Sequence, residues 1–166
     1  RSVISVCNPG DPSKADPLTQ NPELIARNWR SKFQEPLDAL LNNLLIEKEA
    51  SLSPIMESIQ SVSITALSGK EKSSRPRRII LISDLLQNSK SWSLYTQKPD
   101  FNSFSKDAST RGLNPVLSGV TFQVLYLQRE TKNQIKDKEL HRFWVSWIEA
   151  FGGKVTRFLK VSGINR

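Results

Sequence analysis

The chain has 166 residues, of which 37% are hydrophobic and 24% charged, a balance that fits one globular domain and argues against wholesale disorder. Lysine and arginine number 24 against 16 aspartate and glutamate, and the formal net charge of +8 favours acidic partners: an acidic protein face, nucleic acid or an anionic membrane surface. The single cysteine, Cys7, excludes an internal disulfide framework and a cysteine-rich zinc site, and no apolar run approaches the length of a membrane span. A cytoplasmic protein is the expectation. Arg1 stands where an initiating methionine is absent, which implies residues upstream of it.

Residues 2–7 carry β-branched Val3, Ile4 and Val6 and predict a strand that stops at the turn signal Asn8-Pro9-Gly10. A loop follows, and Asn21-Pro22 supplies a cap and a first-position proline for a helix. Ile25, Trp29, Phe33, Leu37, Leu40, Leu41 and Leu44 then repeat at helical spacing, with Arg27, Arg30, Lys32 and Asp38 off the stripe. Pro36 falls inside this pattern and predicts a kink or a break, because it removes a backbone donor. After a polar connection, Ser53-Pro54 predicts a second helix start, with Ile55, Ile59, Val62 and Ala66 on its apolar side.

Residues 70–78 form a basic loop containing Lys70, Lys72, Arg75, Arg77 and Arg78. Ile79-Ile80-Leu81-Ile82 is apolar without alternation, the pattern of a strand buried on both faces at the centre of a parallel sheet. The segment 85–118 predicts a long surface excursion with one short helix near 101–110. A second central strand is predicted over 120–128, and a helix over 132–151 ended by Gly152-Gly153. A last strand over 154–161 carries Lys154, Arg157 and Lys160, charges that suit a sheet edge. The order is that of a layered α/β fold.

Ligands of open parallel sheets collect beyond the carboxyl ends of the strands. Asp84, directly after the 79–83 strand, is there either a ligand-bearing carboxylate or a cap. Ser53 heads a helix on the same rim, as a cap or as a ligand. Asn8, Asp11 and Asp16 are further candidates. Trp92 and Tyr95 sit in polar surroundings and suit a protein contact surface or a plug for the core rim. The basic loop is a solvated run or a phosphate-contacting patch. No Gly-rich phosphate loop, His/Cys metal cluster or nucleophile–base pair is present, and His141 has no partner at a telling spacing, so an enzyme is not expected.

The runs Cys7-Asn8-Pro9-Gly10, Asn21-Pro22, Trp29, Phe33, Pro36-Leu37, Ser53-Pro54-Ile55-Met56-Glu57 and Ser83-Asp84-Leu85-Leu86-Gln87-Asn88-Ser89 together resemble a group of bacterial proteins with a von Willebrand factor A-like fold. The resemblance implies one doubly wound, mostly parallel, Rossmann-like domain over 1–166, in strand order 3-2-1-4-5-6. Its first strands would lie upstream of Arg1. It also implies a divalent cation, Mg2+, at the strand-end rim, with Ser53 and Asp84 as ligands. This chain departs from the family: Ser replaces Thr, Leu85 stands where many members have Gly, and the Asp-x-Ser-x-Ser run is absent.

The expected function is that of a non-enzymatic protein–protein interaction module, using Asp84, Gln87, Asn88, Trp92 and Tyr95. Its partner would be another protein, or a further segment of the same protein that completes the sheet. The alternative is nucleic-acid binding through Lys70, Lys72, Arg75, Arg77, Arg78 and the basic carboxyl end.

Overall fold

The computed structural model describes residues 10–16, 18–46, 51–67, 76–128 and 135–161. The chain divides into two compact units, residues 1–50 and 51–166. The strand expected over 2–7 lies outside the described residues.

In the first unit, Asn21 caps α1 (Pro22–Trp29): its side-chain oxygen accepts from the Leu24 amide at 3.0 Å, and Pro22 takes the first helical position. The disturbance foreseen at Pro36 takes the form of a π-helical turn over Arg30–Gln34, after which α2 (Glu35–Ile46) runs on. A widened turn accommodates a residue that cannot donate to the carbonyl one turn back. Ile25, Trp29, Phe33 and Leu37 are the half-buried side of this rod, while Arg27, Arg30, Lys32 and Asp38 are exposed.

The second unit is a layered α/β arrangement of Rossmann-like character. It comprises α3 (Ile55–Thr65), β1 (Arg77–Ser83), α4 (Phe101–Lys106), β2 (Val120–Leu127), α5 (Asp137–Ala150) and β3 (Lys154–Val161). Among the described residues the sheet has three strands in the order β1-β2-β3, all parallel. Register places Ile79, Phe122 and Val155 in one row and Leu81, Val124 and Phe158 in the next. These rows meet Phe143, Trp144, Trp147 and Ile148 of α5 in a single core. Gly152, at φ +82°, ends α5 as the sequence predicts, and a Cβ on Gly153 would sit 2.7 Å from Ile148 Cγ2.

Two expectations are corrected. The segment 85–118 is not a surface excursion: Leu85, Trp92, Leu94, Phe104, Leu113 and Leu117 are all in the core. Its apolar residues follow neither a helical nor a strand period, so they gave no periodic signal, yet they close the core beside α5. The 79–82 segment, expected to be covered on both faces, has alternating burial: Ile80 and Ile82 are 57% and 62% exposed, and among the described residues β1 stands at one border of the sheet. The middle strand is β2.

Trp144 anchors this core to the exit of β1. Its indole N–H donates to the Leu85 carbonyl at 2.9 Å, whereas the equally buried indoles of Trp92 and Trp147 find no acceptor among the described residues. Trp144→Phe is therefore expected to lose about 1–3 kcal/mol of stability in urea denaturation, from the bond and the lost volume together. Trp147→Phe should lose less, since no hydrogen bond goes with it.

Candidate functional site

The rim beyond the carboxyl end of β1 is built by side chains bonding to backbone. Ser83 Oγ accepts from the Leu85 amide at 3.0 Å, and Asp84 Oδ1 accepts from the Leu86 amide at 3.1 Å. These local turns bend the chain so sharply that Leu85 adopts φ +60°. For a residue with a Cβ that conformation costs about 1–2 kcal/mol, and burial of the whole leucine side chain offsets it.

Gln87 follows, fully buried. Its Oε1 accepts from the Met56 amide at 2.9 Å, and its Nε2 donates to Glu57 Oε2 at 2.9 Å and to Ser89 Oγ at 3.1 Å. A buried amide side chain is thus satisfied on both of its atoms. Asn88 lies between Ser53 and Ser93 in two antiparallel bridges. Its Nδ2 donates to the Ser51 carbonyl at 3.0 Å, and its Oδ1 accepts from Ser93 Oγ at 2.8 Å. The run 83–89 is a clasp that fastens the end of β1 to the start of α3.

The expected site residues sort accordingly. Ser53 does not cap α3: Pro54 holds the cap position without a side-chain bond, and Gln87 reaches across from the other loop to cap in its place. The Ser53 backbone is engaged instead, its amide and carbonyl both paired with Asn88. Gln87 and Trp92 are buried, so neither offers a contact side chain to a partner; Trp92 packs against Phe104 with ring centroids 5.1 Å apart. Tyr95 is 51% exposed, and Asp84 and Asn88 are partly exposed. Asp11 and Asp16 serve local turns in the first unit.

Mg2+ takes six oxygens in near-octahedral array. Ser53 and Asp84 would bring two, one of which already accepts from the Leu86 amide. No group of three or more His, Cys, Asp or Glu fit to hold a metal occurs among the described residues. These residues do not by themselves make a magnesium site.

Of the basic loop, Lys70, Lys72 and Arg75 lie outside the described residues. Arg77 holds loops together, because its guanidinium donates to the Leu67 carbonyl at 3.1 Å and the Ser118 carbonyl at 2.6 Å. Arg78 is exposed.

Two features lie outside the expectations above. One is a cluster at the far end of β2, where the Tyr126 hydroxyl donates to Asp137 Oδ1 at 3.0 Å and Lys160 Nζ to Asp137 Oδ2 at 2.5 Å. Burial, the Asp137 bond and the nearby charges of Asp137 and Asp84 push the Tyr126 hydroxyl up to about 12, while the Lys160 bond lowers the Asp137 carboxyl. The other is the second face of the sheet, which carries Arg78, Ile80, Ile82, Thr121, Gln123, Leu125, Arg157 and Leu159 by register. Alternation in Val-Thr-Phe-Gln was the available signal that only one face of β2 is fully covered.

No protein-family model matches the chain, and comparison with curated proteins and with solved structures returns no match.

Gln87→Leu keeps the volume but leaves the Met56 amide unsatisfied, and should cost about 1–3 kcal/mol. Urea midpoints would show it, and Gln87→Glu should not restore the loss, because it sets a second carboxylate beside Glu57. The raised Tyr126 ionisation predicts a separate effect. The folded state holds that proton between pH 10 and about 12 while the unfolded chain has lost it, so stability falls across this window as pH rises. In Tyr126→Phe that alkaline fall should flatten.

Proposed function

We propose that the chain is a non-enzymatic protein–protein interaction module on a von Willebrand factor A-like sheet, and that its partner completes this sheet along β1. One observation carries the reading: Ile80 and Ile82 stand more than half exposed on a strand that, among the described residues, borders the parallel sheet. Parallel sheets are ordinarily covered on both faces. A strand whose four central residues are all apolar is composed for such cover, and an open apolar edge is a template for another strand. On α3's side of β1 a groove of ≈ 450 Å³, lined by Leu52, Ile55, Ile59, Val62, Ile79 and Leu81, continues the apolar surface.

The partner element would be an extended apolar segment, from another protein or from a further part of the same polypeptide. Backbone bonds along β1 would supply affinity, and Ile80 and Ile82 would supply the apolar contact. The rim with Asp84, Asn88 and Tyr95 borders the same strand end and forms a second, polar contact. The doubly wound arrangement of the family is then reached in the complex. Leu85 supports the family reading: it stands where many members have glycine, and it adopts the positive φ that favours glycine. No step of this reading passes through a cation. Ser53 and Asp84 would contribute two oxygens to one, and an acidic partner side chain would have to add more.

Sedimentation velocity and partner capture from cells test the proposal together. The wild-type chain should self-associate as its concentration rises and should retain a partner. Ile80→Lys/Ile82→Lys, at exposed positions, should stay monomeric and lose the partner, with Asp84→Ala weakening capture less. Equal behaviour of wild type and the double lysine variant refutes the model. Binding of single-stranded DNA that falls steeply with salt, and weakens when Arg75, Arg77 and Arg78 are neutralised, would put nucleic acid in the partner's place.

A further inference from the structure

A slot of ≈ 540 Å³ opens between α5 and β3, at the opposite edge of the sheet from β1, and its chemistry is independent of the sheet-completion reading. Its apolar wall is Phe158, Val145 and the ring of Tyr126. Around the mouth stand Lys138, Arg142 and Lys160, with His141 between the first two. Positions 138, 141, 142 and 145 follow helical spacing, so α5 presents them along one side.

The charges do not balance. Among the described residues Asp137 is the one carboxylate lining the slot, and it is held by Lys160 at 2.5 Å and by the Tyr126 hydroxyl at 3.0 Å. Lys138 and Arg142 are both exposed, and no ion pair engages either among the described residues. Spaced four apart on a helix, they also repel each other. Among the described residues, the slot therefore offers two cations with no ion-pair partner above an apolar floor.

We infer that this slot binds an acidic peptide segment, seating one apolar side chain against Phe158 and Val145 and pairing its carboxylates with Lys138 and Arg142. A nucleic acid fits the same surface less well. Single strands stack their bases on rows of open aromatic faces, and here the floor ring of Phe158 is already engaged by His141 in a T-shaped contact with ring centroids 4.3 Å apart. The concave apolar floor rewards a side chain, which a phosphate backbone does not bring.

Fluorescence anisotropy with the full chain tests this, using a labelled Glu/Asp-rich peptide with one central Phe. The comparison probes are the same peptide with Ser for Phe, and a labelled oligothymidylate. Lys138→Glu/Arg142→Glu should weaken the Phe peptide about tenfold or more, and the Ser peptide should bind wild type about tenfold more weakly. Both substituted positions are exposed, so an unchanged thermal midpoint should accompany the loss. Equal affinity of wild type and double variant overturns the inference. So does equal affinity for the Phe and Ser peptides, which marks a purely ionic surface. Tighter binding of the oligothymidylate, lost in the same variant, would overturn it too and assign the slot to phosphate.

Discussion

The hydrogen bond from the Trp144 indole to the Leu85 carbonyl joins the main covering helix to the turn that leaves β1. Before that turn runs β1; after it comes the clasp. Leu85 can hold a conformation that its side chain disfavours because the surrounding core determines it from several directions: Ser83 receives its amide, Trp144 and Gln87 donate to its carbonyl, and its side chain is wholly enclosed. Packing offsets the strain of the turn, and the turn sends Gln87 inward to the head of α3.

The polar residues of the 83–89 run thereby acquire a structural explanation. A sequence dense in Ser, Asp, Gln and Asn beyond a strand looks like a ligand site, yet most of its hydrogen-bonding capacity is directed at neighbouring backbone. Among the described residues of this unit, exposed apolar and cationic side chains lie elsewhere: on the second face of the sheet, along β1, and at the slot beside α5. Arg77 behaves likewise at the opposite end of the strands, where a residue from a basic run closes two loops together.

Much of the element order was legible because it rests on local rules. Asn21-Pro22 marks a helix start, Gly152-Gly153 marks a helix end, and Leu140, Phe143, Trp144, Trp147 and Ile148 share one side of α5 and are buried together. What could not be read depends on distant neighbours. Gln87 caps a helix that begins about thirty residues earlier, as its bond to the Met56 amide spans 31 positions; no spacing rule announces such a cap. Ser53 satisfied the local rule for a cap and was diverted by its pairing with Asn88. Trp92 sat among polar residues and still turned inward, since a core can be closed by irregular backbone. The border position of β1 among the described strands follows from sheet order, about which an apolar run says nothing by itself.

The two borders of the sheet differ in kind. β3 carries Lys154, Arg157 and Lys160 along its length, and such charges oppose the approach of a further strand. β1 carries its arginines only at its beginning, and isoleucines after that. Under the proposed sheet completion, a further strand is therefore accepted beside β1 and opposed beside β3, and an added strand that brings a charged border of its own would end the growth at one partner for each chain. Two copies meeting through this side would form a closed, two-fold pair with antiparallel central strands and no free template left for a fibre.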